Sequence, residues 1–118
     1  MDRDIKGNTR LENCPLTYSR NMIGGKWRLP ILWAIRQNET LRYNELKRTV
    51  EGITNMMLSQ SLKELESNGL IVRKQYLEMP PRVEYSLTVE GEELVDHLRA
   101  LARWGKRMQG LQGHGGVE

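Results

Sequence analysis

The sequence predicts an α+β domain, mostly α, with a β-hairpin inserted before its last helix. Three observations predict it. Apolar residues recur at helical spacing in several short segments, each closed by glycine or a turn. Two strand-like runs flank a Pro-Pro turn between residues 70 and 87. The final long stretch has one apolar side and charges sorted along its length.

The elements follow in order. Cys14-Pro15 leads LTYSRNMI as a helix with proline in its first turn, where a missing N–H costs little, and Gly24-Gly25 ends it. Trp27, Ile31, Ala34 and Ile35 give a second helix over about 26–37, with Pro30 near its start. Asn38-Glu39 is a turn, residues 40–42 a very short strand, and residues 43–49 a third helix that buries Leu46 and Val50. Thr54 is placed to cap a fourth helix over 54–68, which Gly69 stops. Residues 70–76 and 82–87 are the antiparallel strands of a hairpin. A last helix from 89 to 108 presents Leu94, Leu98, Leu101 and Met108 on one side with Val95 and Ala102 alongside. Glu90, Glu92 and Glu93 lie at its start and Arg99, Arg103, Lys106 and Arg107 toward its end, as the helix dipole prefers. The domain is thus expected over 14–108, between a flexible N-terminus (1–13) and a flexible glycine-rich tail (109–118).

Composition narrows the function. The chain of 118 residues carries 18 basic and 15 acidic side chains, a net +3, with a pI near 9.2. Between Arg20 and Arg48 seven basic residues stand against two acids, so the excess is local and suits a polyanion. The single cysteine excludes an internal disulfide, no stretch is apolar enough to span a bilayer, and no secretory leader is read at the N-terminus. The expectation is a protein of the cytoplasm, without membrane contact. His97 and His114 have no partner at metal-ligand spacing, Gly24-Gly25 is no phosphate loop, and no nucleophile–base pair emerges; neither metal, cofactor nor catalysis is expected.

The fourth helix carries the functional signal. At about 100° per residue, Leu62 and Leu65 fall within about 40° of Leu58 and form the core stripe. Met56, Ser59, Gln60, Lys63 and Ser67 gather on the opposite side, where no acid stands. A helix face that enters the major groove must keep carboxylates from phosphates and offer donors and acceptors to base edges. The hairpin that follows bears Arg73, Lys74 and Arg82, placed to touch backbone or minor groove beside it. An ordinary solvated helix face and a solvated basic hairpin are the plainer alternatives.

Cys14-Pro15, IGGKW at 23–27, LRYNELKR at 41–48, GIT with ML at 52–58, the spaced leucines and GLI over 62–71, and PPRVEYSLT with Gly91 together resemble the HxlR-type winged helix-turn-helix regulators, relatives of the MarR group. The resemblance covers about residues 14–105. It implies a transcription regulator that binds double-stranded DNA as a homodimer, with the first and last helices forming most of the dimer interface. It places Thr54, Asn55, Met56, Ser59, Gln60 and Lys63 of the recognition helix toward the major groove. Arg42 and Tyr43 would meet the DNA backbone, and Arg73, Lys74 and Arg82 would belong to the wing. Some similar regulators use a cysteine where Cys14 stands, which makes it a candidate sensor of a redox or small-molecule effector. Trp27, Trp33 and Trp104 read as core residues, with an effector pocket as the alternative. The rival functions are a winged-helix module that docks a protein on the same face, and a small-molecule or redox enzyme.

Overall fold

A computed structural model describes residues 14–111. Its elements run α1 (Pro15–Ile23), α2 (Arg28–Asn38), β1 (Thr40–Arg42), α3 (Tyr43–Thr49), α4 (Asn55–Ser67), β2 (Ile71–Tyr76), β3 (Arg82–Leu87) and α5 (Val89–Leu111). This is the expected order of helices and strands. The N-terminal stretch 1–13 and the end of the tail, including His114, lie outside the described residues.

The core forms where the apolar stripes of three short helices meet one face of a sheet. Ile31, Leu32 and Ile35 of α2, Leu46 of α3, and Leu58 and Leu65 of α4 are fully buried with Ile71 and Val95. The sheet is antiparallel in the order β1-β3-β2, so the wing hairpin is extended by the short strand before α3. Leu41, Tyr85 and Arg73 lie opposite one another across its three strands. Residues so aligned share a face, and here Leu41 and Tyr85 turn it toward the core.

Local chemistry sets the ends of α4. Thr54 Oγ1 accepts from the Met57 N–H at 3.1 Å, the N-cap bond its position predicts. At the other end Gly69 takes φ +77°, and the Leu70 N–H returns to the Leu65 carbonyl at 3.0 Å. Thr88 then joins two elements: its hydroxyl donates to Gly69 O at 2.6 Å and accepts from Gly91 N–H at 3.0 Å. The start of α5 is thereby fixed against the turn that ends α4.

Two boundaries differ from expectation by more than one residue. Helix α2 begins at Arg28, with Trp27 as its flanking residue, so Pro30 lies in the first turn, where its lost N–H was an orphan in any case. Helix α5 continues past residue 108 to Leu111, taking Gln109, Gly110 and Leu111 from the expected tail. A glycine inside a helix costs only about 1 kcal/mol relative to alanine, too little to stop a helix of 23 residues by itself.

The apolar side of α5 is buried only in part. Gly91 and Val95 are enclosed and Leu94 packs on the core, but Leu101 and Trp104 stand 57% and 52% exposed. The reason is reach: 23 residues extend about 34 Å, further than the body that α5 packs against. Helix α1 buries no residue, and Leu16 is 79% exposed.

Candidate nucleic-acid interface

Six side chains expected at the major groove share the open side of α4 and its cap. Thr54, Asn55, Met56, Ser59, Gln60 and Lys63 are all exposed, while Leu58, Ser61, Leu62 and Leu65 turn inward. Glu64, on the flank, is drawn off by α2. Its Oε1 accepts from Arg28 Nη2 at 2.7 Å, and its Oε2 from Gln60 Nε2 at 3.2 Å. The Arg28 bond, seconded by the Gln60 amide, holds the Glu64 carboxyl below the usual carboxylate range.

Tyr43 reaches from the start of α3 to the start of α4. Its Oη lies 3.1 Å from the Asn55 carbonyl, 3.2 Å from Asn55 Oδ1 and 3.1 Å from Ser59 Oγ. The resemblance sets Tyr43 toward the DNA backbone; in the structure its hydroxyl is turned onto two residues of α4. Beside it, Arg42, Arg48 and Arg82 line a cleft of about 630 Å³ between α3 and the hairpin. In the sequence Arg48 is marked only by the local charge balance. Its place in this cleft follows from packing of α3 against the wing.

The wing cations do not form one set. Register pairs Arg42 with Glu84, Glu84 with Lys74, and Tyr76 with Arg82, so Arg42, Lys74 and Arg82 share the face away from the core. Arg73 sits opposite Tyr85 on the other face, although it is exposed. Arg82 is also engaged within the hairpin. It donates to Glu78 at 2.5 Å and to Glu84 at 3.1 Å, and its guanidinium lies 3.9 Å from the centre of the Tyr76 ring.

Cys14 is the N-cap of α1 and half-buried. Backbone N–H groups of Thr17 and Leu16 lower its thiol below the ordinary value by stabilising the thiolate. Of the tryptophans, only Trp27 packs on the core. Trp27 and Trp33 line one hollow of about 340 Å³ with Pro30, Ala34 and Val50, whereas Trp104 lines a separate depression on α5. Trp33 and Trp104 are exposed, contrary to the core reading, because the sides of α2 and α5 that bear them are not covered within one chain. Among the described residues no three His, Cys, Asp or Glu side chains gather at a point. No described helix is long and apolar enough to cross a membrane.

Known proteins carry the same pattern. The HxlR-like helix-turn-helix family model matches residues 22–112. The regulatory protein MalR of Fusobacterium mortiferum is 45% identical over 93 residues, spanning 79% of this chain and 88% of that protein. An HTH-type transcriptional regulator of Halalkalibacterium halodurans is 40% identical over 107 residues, 90% of this chain and 95% of the other. Among solved structures, a MarR-family transcriptional regulator from Enterococcus faecalis V583 superposes with a TM-score of 0.78 at 34% identity, covering 93% and 97% of the two chains. The redox regulator HypR in its reduced form gives 0.76 at 34% identity, covering 83% and 96%. Folded as a winged helix-turn-helix and matched along most of its length by such relatives, the chain belongs to the HxlR-like helix-turn-helix family of transcriptional regulators.

Proposed function

We propose that this regulator works in the cytoplasm as a homodimer on a pseudo-palindromic operator, and that it has no catalytic role. Two copies pair through α1 and α5, and each lays its α4 in one of two successive major grooves about 34 Å apart. Thr54, Asn55, Met56, Ser59, Gln60 and Lys63 face the base edges. Arg42, Lys74 and Arg82, with Arg73 on the reverse of the hairpin, meet the sugar–phosphate backbone, and occupancy blocks or recruits polymerase. The observation that carries this reading is the open side of α4, where a carboxylate-free row of amide, hydroxyl and ammonium groups adjoins a cationic cleft.

Selection of bound fragments from random genomic DNA tests it. The expected result is an inverted repeat with half-site centres one helical turn apart, and Gln60→Ala shifts the base preference within each half. Failure to retain DNA at low salt would overturn the reading in favour of a protein-docking module. Binding without any consensus would overturn the assignment of α4.

Cys14 supports a second role as an effector sensor. Its thiol is lowered by two backbone donors at a helix start, and a structural relative of 34% identity is described as a redox regulator. With one cysteine per chain, an oxidised dimer would join Cys14 to its symmetry mate.

A further inference from the structure

We propose that Tyr43 is a positioning residue for sequence readout, acting through Ser59 and Asn55 instead of gripping a phosphate. The inference rests on the DNA-binding reading and refines it. A phenol has one proton to donate and lone pairs to accept. Around Tyr43 Oη stand a carbonyl, an amide oxygen and a hydroxyl, all within 3.2 Å. The Asn55 carbonyl is at 3.1 Å and, as the first carbonyl of α4, also accepts within the helix. The arrangement that satisfies the side chains has Tyr43 donating to Asn55 Oδ1 and Ser59 Oγ donating to Tyr43.

That arrangement polarises the reading face. With Oδ1 engaged, the Asn55 amide turns its Nδ2 donors outward, toward acceptors on base edges such as purine N7 or thymine O4. With its proton given to Tyr43, Ser59 presents only lone pairs, which suit the amino groups of adenine or cytosine. Without Tyr43 Oη the amide is free to flip and the hydroxyl to rotate, so each group serves as donor or acceptor alike. Tyr43 itself need touch no base. Its ring is half-buried and packs against the core, which holds the hydroxyl in place.

Tyr43→Phe removes one oxygen and keeps the ring, so the fold survives; an unchanged circular dichroism melt checks this. Affinity is measured for the selected operator, for operators changed at the base pairs under Asn55 and Ser59, and for random duplex. The expected result is a five- to tenfold loss on the operator, near-equal binding of the changed operators, and unchanged affinity for random duplex. Ser59→Ala and the Tyr43→Phe/Ser59→Ala double variant complete a cycle, and the two losses are expected not to add. An equal loss on operator and random duplex would overturn the proposal in favour of a phosphate contact while leaving DNA binding intact. Additive losses would also overturn it. If the unaltered protein selects no sequence, this proposal and the DNA-binding reading fall together.

Discussion

Arg28 Nη2 donates to Glu64 Oε1 across 2.7 Å, bonding the first turn of α2 to the third turn of α4, while its Nη1 donates to the Asn21 carbonyl of α1 at 2.7 Å. One guanidinium therefore links α1 to α4, and Glu64 passes the link to Gln60. Because the Glu64 carboxyl titrates lower in the folded chain than in the unfolded one, its contribution is present above the ordinary value of 4.5 and is lost as pH falls through the folded value. The carboxylate is 39% exposed, so the expected cost of Glu64→Gln near pH 7 is only about 0.5–1 kcal/mol. Urea melts at pH 7 and at successively lower pH below 4.5 check it: the gap between variant and unaltered protein narrows as the pH falls, and a gap independent of pH refutes the account.

Gly91 allows α5 to seat against the end of α4. A Cβ built on it would fall 2.1 Å from the Leu70 carbonyl oxygen, which also accepts from the Thr88 N–H at 3.0 Å. The Leu70 carbonyl is backbone, so it cannot swing away. Gly91→Ala is expected to cost about 3 kcal/mol, in spite of the better helix propensity of alanine. A urea midpoint equal to that of the unaltered protein would show that α5 does not sit where the structure puts it.

How much of this was legible in the sequence depends on the separation of the groups involved. Thr54 as a cap, Gly69 as a stop and the acid-free side of α4 are local features, set by residues within a few positions of one another, and they stand where periodicity put them. The Arg28–Glu64 bond joins residues 36 apart, and no pattern within either helix announces it. The capture of Arg82 by Glu78 and Glu84, and the separation of Arg73 from Lys74, depend on strand register, since one residue decides which face a side chain takes. The resemblance points to Tyr43, but the direction of its hydroxyl depends on the packing of α3 against α4. Helix α5 shows the limit of periodicity, which reveals an apolar stripe without saying what covers it.

The wing should act through charge and not through base identity. Arg82 is shared between Glu78 and Glu84, and Glu84 stands in register between Arg42 and Lys74. Arg82→Ala is expected to weaken binding to every duplex alike. The double variant Glu78→Gln/Glu84→Gln, by removing both carboxylates that hold Arg82, is expected to strengthen it and to steepen the log–log salt dependence by about 0.9 for each new phosphate contact. Salt titrations on operator and random duplex measure both, and a change confined to the operator contradicts the assignment.

Pairing through α1 and α5 is tested at Leu101. This side chain is 57% exposed on the same apolar side of α5 as Leu94 and Leu98, so an aspartate there disturbs little inside one chain. Leu101→Asp is expected to leave the helical content unchanged, to move the sedimentation coefficient to that of a monomer, and to weaken operator binding at least tenfold. A variant that remains dimeric places the contact on another surface.

Cys14 offers the sharpest separation of a sensing role from a structural one. Backbone N–H groups of Thr17 and Leu16 favour its thiolate, and the direction of the shift sets the expected kinetics. In the folded chain the rate of alkylation by iodoacetamide should reach its half-maximal value at a lower pH than in the chain unfolded in guanidinium. A native midpoint equal to or above the unfolded one refutes the shift itself. The functional step is separate: a sensor requires that the alkylated protein release its operator, whereas a structural thiol whose alkylation leaves DNA affinity unchanged has no such duty. Because Cys14 begins α1, and Arg28 ties the far end of α1 to Glu64 of α4, the expected route of release is a displacement of α1 that breaks the Arg28 bond to Asn21. Arg28→Ala should then bind operator with the same affinity before and after alkylation.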